Sequence, residues 1–229
     1  MKVEALPIAP VAARPTPVVK RTCDIMVSVV GIILLGPVLG LIALLIRLDS
    51  PGPVIFRQRR VGRRGLPFDM CKFRTMRVDA EAVLSALQDR NHGGDRLIRI
   101  EDDPRVTRVG RWLRPLGLDE LPQLWNVLKG EMSLIGPRPQ TSNEVALYDH
   151  RQRRRLEVLP GISGLWQVTS RDDPTFEEWV RLDLQYIDNW SLLLDLRIAL
   201  KTPWAVVRSA RADAPSEVAG TSRNATDIS

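Results

Sequence analysis

Cysteine and histidine are nearly absent: the 229-residue chain has two of the first, Cys23 and Cys71, and two of the second, His92 and His150. So few cysteines exclude a disulfide-stapled scaffold and a cysteine-rich zinc site. So few histidines argue against a histidine-based metal site or catalytic triad. Lysine is scarce too, with five residues against 28 arginines. Gly161-Ile162-Ser163-Gly164 lacks the Lys-Ser/Thr ending of a P-loop, and Ser163 has no evident histidine partner. What is left for chemistry is carboxylates, arginines and a bound ion. The chain is 44% apolar and 26% charged, enough to bury a core in one domain or at most two. Its net charge of +6 and pI of 9.9 suit anionic partners: nucleic acid, phospholipid or phosphorylated substrates.

Residues 25–46 form a run of 22 without a charge. At helical rise this run is about 33 Å long, against ~30 Å of hydrocarbon in a bilayer. Basic residues flank both ends: Lys20 and Arg21 before it, Arg47, Arg57, Arg59, Arg60, Arg63 and Arg64 after it. Positive charge on both sides favours both ends in the cytoplasm. Gly36-Pro37 stands in the middle, and a proline there removes a helix hydrogen bond. A helix broken at Gly36 and Pro37 that enters and leaves on one face satisfies both observations; a kinked spanning helix is the alternative.

The rest predicts a helix-dominated α+β domain on that anchor. Residues 53–73 predict a β-hairpin turning at 62–65, and 79–90 a helix. Asp103-Pro104 suggests an N-cap and first helical residue. Leu121, Leu124, Trp125 and Leu128 follow helical spacing, so 120–129 predicts an amphipathic helix closed by Gly130. Further helices are expected over 142–156, 176–190 and 192–208, the last interrupted at Pro203, with a glycine-containing loop over 160–169. Trp125 and Trp179 are expected in the core, and Trp190 and Trp204 at a lipid interface in an amphipathic C-terminal region. The expected divisions are a flexible leader (1–19), a membrane helix (20–48), a catalytic domain (49–208) and a disordered tail (209–229).

Asp119-Glu120 is the main chemical candidate. As structure, Asp119 is a good N-cap and Glu120 a favourable first-turn residue. As chemistry, a carboxylate beside bound phosphate serves as a nucleophile or a metal ligand. Arg111 and Arg114 precede the pair, Arg138 follows in the stiff Gly136-Pro137-Arg138-Pro139, and Lys72 and Arg74 lie together where the second hairpin strand ends. Guanidinium groups grip phosphate in a bidentate manner. The competing readings are a solvated basic face or a binding module for nucleic acid or anionic lipid.

The order of motifs resembles the bacterial sugar transferase family, the monotopic phosphoglycosyl transferases. The resemblance runs through Lys20-Arg21 and the apolar run, Ser50-Pro51-Gly52-Pro53, Lys72-Phe73-Arg74-Thr75-Met76, Asp103-Pro104-Arg105-Val106-Thr107 and Leu118-Asp119-Glu120-Leu121-Pro122-Gln123-Leu124. It continues through Lys129-Gly130-Glu131-Met132-Ser133, Gly136-Pro137-Arg138-Pro139, Pro160-Gly161-Ile162-Ser163-Gly164-Leu165-Trp166-Gln167 and Asn189-Trp190-Ser191 with Asp195. It is closest to members that carry the catalytic module alone.

The resemblance implies transfer of a sugar 1-phosphate from a UDP-sugar to undecaprenyl phosphate, with release of UMP, to begin exopolysaccharide, capsule or O-antigen. It implies Asp119 as nucleophile, Glu120 as its partner, and Mg2+ held by Asp119 or Glu120. Arg114 and Arg138 match phosphate-binding arginines, and Lys72 and Arg74 a basic motif near the site. The apolar run matches a re-entrant helix with its break at Gly36-Pro37, on the cytoplasmic face of the bacterial inner membrane. Membrane lipids and downstream glycosyltransferases are implied partners, nucleic acid is not, and a homodimer is left open. Gly117 stands where the family usually has Ser or Thr.

Overall fold

Helix α1 (Val18–Asp49) opens the fold in the computed structural model, which describes residues 11–84, 103–169 and 175–212. Its buried residues are Lys20, Asp24, Ser28, Ile42 and Ile46, on one helical stripe that is polar toward the N-terminus and apolar toward the C-terminus. The remaining circumference exposes Met26, Val27, Ile33, Leu34, Leu41, Leu44 and Leu48. Of the helices among the described residues, α1 alone is long and apolar enough to cross a membrane. The chain stays helical through Gly36 and Pro37, so the interruption expected there is at most a bend within one helix. Pro37 removes one hydrogen bond from a 32-residue ladder, and packing holds the helix on both sides of it.

Both ends of α1 are fastened to the same body. Near the N-terminus, Lys20 Nζ donates to Asp195 at 2.7 Å, and Arg21 donates to the carbonyls of Val127 and Leu128 at 2.6 and 2.9 Å. Asp24 accepts from the Leu134 N–H. Near the other end, Ile42 and Ile46 pack with Phe73 and Leu113, and Asp49 accepts from the Val109 N–H at 3.0 Å. Described residues of the expected 1–19 leader contact the same body ahead of α1. Arg14 pairs with Glu157 at 2.7 Å and donates to the Ile187 carbonyl, while Val11 packs beside Tyr148 and Leu156. Residues 1–10, and 213–229 of the expected tail, lie outside the described residues.

The hairpin forms as expected. Strands β1 (Ile55–Val61) and β2 (Pro67–Phe73) pair antiparallel with Ile55 opposite Phe73. Helix α2 (Ala80–Leu84) occupies the start of the expected 79–90 helix, whose remainder is outside the described residues. Helix α3 (Arg108–Leu113) begins later than Asp103-Pro104 suggested. Asp103 is held by the Arg105 guanidinium at 2.6 Å, and Thr107 caps α3 by accepting from the Gly110 N–H. Gly110 is packed so tightly that a Cβ would lie 2.2 Å from the Thr75 carbonyl oxygen.

Helix α4 (Gln123–Lys129) ends at Gly130 in the left-handed region, φ 83°. Its Asn126, fully buried, ties it to the hairpin through Cys71 N–H and the Asp69 carbonyl. Trp125 is 57% exposed and is not core; Leu124 takes the buried position. Strand β3 (Ser133–Ile135) pairs in parallel with β4 (Gly161–Ser163), within the segment expected to be a loop. The expected 142–156 helix is divided into α5 (Ser142–Ala146) and α6 (His150–Arg153), because Asp149 caps α6 in a capping box with Gln152. Helix α7 (Leu165–Thr169) sets Trp166 against Trp179 with ring centroids 4.7 Å apart. Helices α8 (Phe176–Asp188) and α9 (Leu192–Ala212) close the chain. The latter continues through Pro203 without the expected interruption and exposes Leu193, Leu196, Leu200 and Trp204. A core of Ile135, Val180, Leu184, Tyr186, Ile187 and Ile198 joins β3, α8 and α9.

Candidate active site

Asp119 and Glu120 lie in a 3-10 turn, Leu118–Glu120, ahead of α4. The sequence predicted that the pair would open the helix. Pro122 prevents this: it has no N–H to return to Leu118, so the α-helical ladder starts after it. Gly117 enters the turn at φ 64°, a conformation that glycine takes without strain and that the usual Ser or Thr would resist. Leu118 packs into the Ile42, Ile46, Phe73 and Leu113 cluster, and Val206 of α9 lies beside Gly117. The turn that carries the carboxylate pair is thus packed against α1 through Leu118 and lies beside α9 at Gly117.

Glu120 is gripped by cations. Lys72, projecting from β2, donates to Glu120 Oε1 at 2.8 Å, and Arg138 stands 3.5 Å from the same oxygen. Asp119 caps no helix and accepts no hydrogen bond from another side chain among the described residues. Burial pushes its carboxyl up to about 6 against the pull of Lys72 and Arg114, and Glu120 adds to the rise. Burial likewise pulls the Lys72 ammonium below its ordinary value, against the opposing effect of Glu120. Lys72, Glu120, Arg138 and Asp119 are therefore brought together, and the exposed Arg114 is near enough for Asp119 to feel its charge.

Arg74 is not part of this group. Its buried guanidinium donates to the Ser50 and Pro51 carbonyls, beneath the loop that leaves α1, and its charged neighbours are Arg47 and Asp49. Its partners are thus the carbonyls that α1 and the following turn leave unpaired, and the expected phosphate-binding role does not fit that placement.

Arg60 is a site neighbour that the sequence reading treated as a flanking charge only. Its guanidinium donates to Gln58 and to the Pro139 carbonyl, close to Arg138, Glu144 and Glu120. Burial together with Arg138 lowers it to about 10. The available signal was strand alternation: Gln58 and Arg60 share the inner face of β1, while Arg57 and Arg59 are exposed.

No group of three or more His, Cys, Asp or Glu side chains converges among the described residues. Magnesium, however, is usually held by one or two carboxylates, with phosphates and waters completing its shell. Asp119, a carboxylate without a side-chain donor beside a second carboxylate, fits that mode.

A family model described as Bacterial sugar transferase matches residues 15–209. The chain is 46% identical over 186 residues to the galactosyl transferase CpsE of Streptococcus agalactiae, covering 81% of this chain and 41% of that protein. It is 41% identical over 194 residues to the exopolysaccharide production protein ExoY of Sinorhizobium fredii, covering 83% of this chain and 86% of that one. It is 39% identical over 201 residues to the undecaprenyl-phosphate galactose phosphotransferase of Salmonella typhimurium, covering 86% of this chain and 42% of that protein. The chain thus spans less than half the length of the first and third relatives and most of the second.

Proposed function

The chain belongs to the bacterial sugar transferase family, and we propose that it moves a sugar 1-phosphate from a UDP-sugar to undecaprenyl phosphate through a covalent intermediate on Asp119. One observation carries the reading: a carboxylate that caps no helix sits near Lys72, Glu120 and Arg114, with Arg138 3.5 Å from Glu120, on a turn packed against the membrane helix. Both substrates are anionic and repel a carboxylate, so the cations are needed to hold phosphate within reach. An Asp119 oxygen attacks the sugar-bearing phosphorus, and the bond to the bridging oxygen breaks, with its electron pair leaving on UMP. The acyl phosphate so formed keeps the transfer potential of the diphosphate. A phosphate oxygen of undecaprenyl phosphate then attacks the same phosphorus, and the bond between phosphorus and the Asp119 oxygen breaks, its electron pair restoring the carboxylate. Lys72 and Arg138 orient the phosphates and hold Glu120. Asp119 or Glu120 would hold Mg2+, which when bound neutralises charge on the diphosphate.

The anchor suits a lipid acceptor. Contacts to one body from Lys20 to Asp49 support a re-entrant rather than spanning α1, with both ends on the cytoplasmic face of the bacterial inner membrane. A bend at Pro37 within the continuous helix would let α1 enter and leave on that one face. The exposed Leu196, Leu200 and Trp204 of α9 suit the same interface.

The test is UMP release from a panel of UDP-sugars with undecaprenyl phosphate. Parallel initial-rate lines are expected for two half-reactions; intersecting lines, or no UMP with any donor, would remove the reading. The pH profile adds a second check. A carboxyl raised to about 6 is protonated below that pH and cannot attack, so kcat/KM should fall on the acid side of about pH 6. Glu120→Gln removes a like charge and should move this limb to lower pH, while Lys72→Met removes a cation and should move it higher. A limb that ignores both substitutions belongs to some other group.

A further inference from the structure

The loop that presents Arg138 is held more firmly than its short length requires. Four successive carbonyls are each engaged: Pro137 by the Gly161 N–H at 2.9 Å, Arg138 by Arg155 at 3.4 Å, Pro139 by Arg60 at 3.2 Å, and Gln140 by the Val61 N–H at 2.9 Å. The two prolines have no N–H and fix φ. Two of the four donors are thus guanidinium groups, one from β1 and one from the turn over Arg154–Glu157. Arg155 is itself locked in the interior, with Nε 2.8 Å from Asp183 and another nitrogen on the Tyr148 hydroxyl. Arg60 is held by both Nε and Nη2 on Gln58 Oε1 at 3.1 and 2.8 Å. Well-packed apolar residues would satisfy the core as well as a buried ion pair does, so the Asp183–Arg155 pair is not explained by stability.

Resting on the functional reading above, we propose that Arg60 and Arg155 are positioning residues: together they clamp the Arg138 and Pro139 carbonyls, so that the Arg138 guanidinium is aimed in advance at Glu120 and at the donor diphosphate. A guanidinium serves because its planar fork bonds a carbonyl and a second acceptor at once; an ammonium keeps the charge but not that geometry. The clamp acts through Arg138 and touches no reacting atom.

A double-mutant cycle separates this role from a general structural one. In the unreactive Asp119→Asn protein, Arg155→Lys and Arg60→Lys should each weaken UDP binding by about 10-fold, since a small displacement of a phosphate ligand is costly. In an Arg138→Ala background, each should change UDP binding by less than about 2-fold, because the group they position is gone. The same pattern is expected in kcat/KM for UMP release in the otherwise wild-type enzyme. Should Arg155→Lys fail to fold, Arg60→Lys carries the cycle. Equal losses with and without Arg138, or no loss from either lysine variant, would overturn the proposal. Absence of UDP binding in the parent overturns it together with the phosphate role of Arg138. A non-additive cycle in a protein that releases no UMP leaves the clamp standing and removes the transferase reading alone.

Discussion

Asp119→Asn is expected to abolish transfer, by at least about 10³-fold, while the protein keeps its fold. The amide is close in shape to the carboxylate but is neutral and cannot become the acyl phosphate. Because Asp119 caps no helix and receives no side-chain donor, its loss orphans nothing in the structure. The direction of the stability change follows from its titration. A carboxyl whose folded pKa of about 6 lies above its unfolded value works against folding at neutral pH, and the penalty fades as pH falls through 6. Asn removes that penalty, so the melting midpoint at pH 7.5 should equal or exceed that of wild type. Wild type quenched with UDP-sugar alone should carry a phosphosugar on Asp119 by mass spectrometry, and the Asn variant none. An adduct elsewhere, or turnover within tenfold of wild type, would sink the nucleophile assignment.

Asp195→Ala should have the opposite profile, a large loss of stability from a residue outside the carboxylate pair. Its carboxylate takes Lys20 at 2.7 Å, Tyr186 at 2.8 Å and Trp190 at 3.1 Å, joining α1, α8 and α9 at one point. The Lys20–Asp195 pair is largely buried, with side chains 9% and 14% exposed. Removing the acceptor leaves a buried ammonium and an indole without it, while the Tyr186 phenol keeps the Ile135 carbonyl at 3.0 Å; the unpaired ammonium dominates the cost, at about 3 kcal/mol or more. In detergent the melting midpoint should drop by about 6–12 °C. Asp195→Asn should fall between the two, since the phenol and indole keep an acceptor and only the ammonium loses its charge partner. A shift under about 2 °C for the alanine variant would mean that the N-terminal end of α1 is not held here. The same contact underlies the proposed re-entrant topology, which has its own test. An Ala12→Cys protein lacking Cys23 and Cys71 should resist an impermeant thiol reagent in intact cells and react after permeabilisation. Labelling in intact cells would mean that α1 spans.

Legibility in the sequence divides along physical lines. The hairpin was readable because alternation and glycine-rich turn chemistry are local, and Gly130 marked the end of α4 for the same reason. Helix starts were misplaced where two residues competed to cap. Thr107 prevailed over Asp103 because the Arg105 guanidinium holds the aspartate, and Asp149 divided a continuous helical pattern because its capping box with Gln152 satisfies two backbone groups at once. Trp125 was assigned to the core on spacing alone, which marks a face as apolar without saying whether it meets protein or another medium.

By itself the sequence determined the chemistry available: carboxylates and arginines, little histidine or cysteine, and one charge-free run long enough for a membrane. Through its motif order it also determined the family, and with it Asp119-Glu120 as the pair to examine. Tertiary structure decided which cations serve that pair. Lys72 and Arg74 are two residues apart in sequence, yet one reaches Glu120 and the other is spent on the carbonyls after α1. Arg60 and Arg155 lie far apart in the chain and meet on the Arg138 loop. A guanidinium side chain spans several ångströms and bonds whichever acceptors lie unpaired within reach, and local sequence carries no record of where distant carbonyls will be left unpaired.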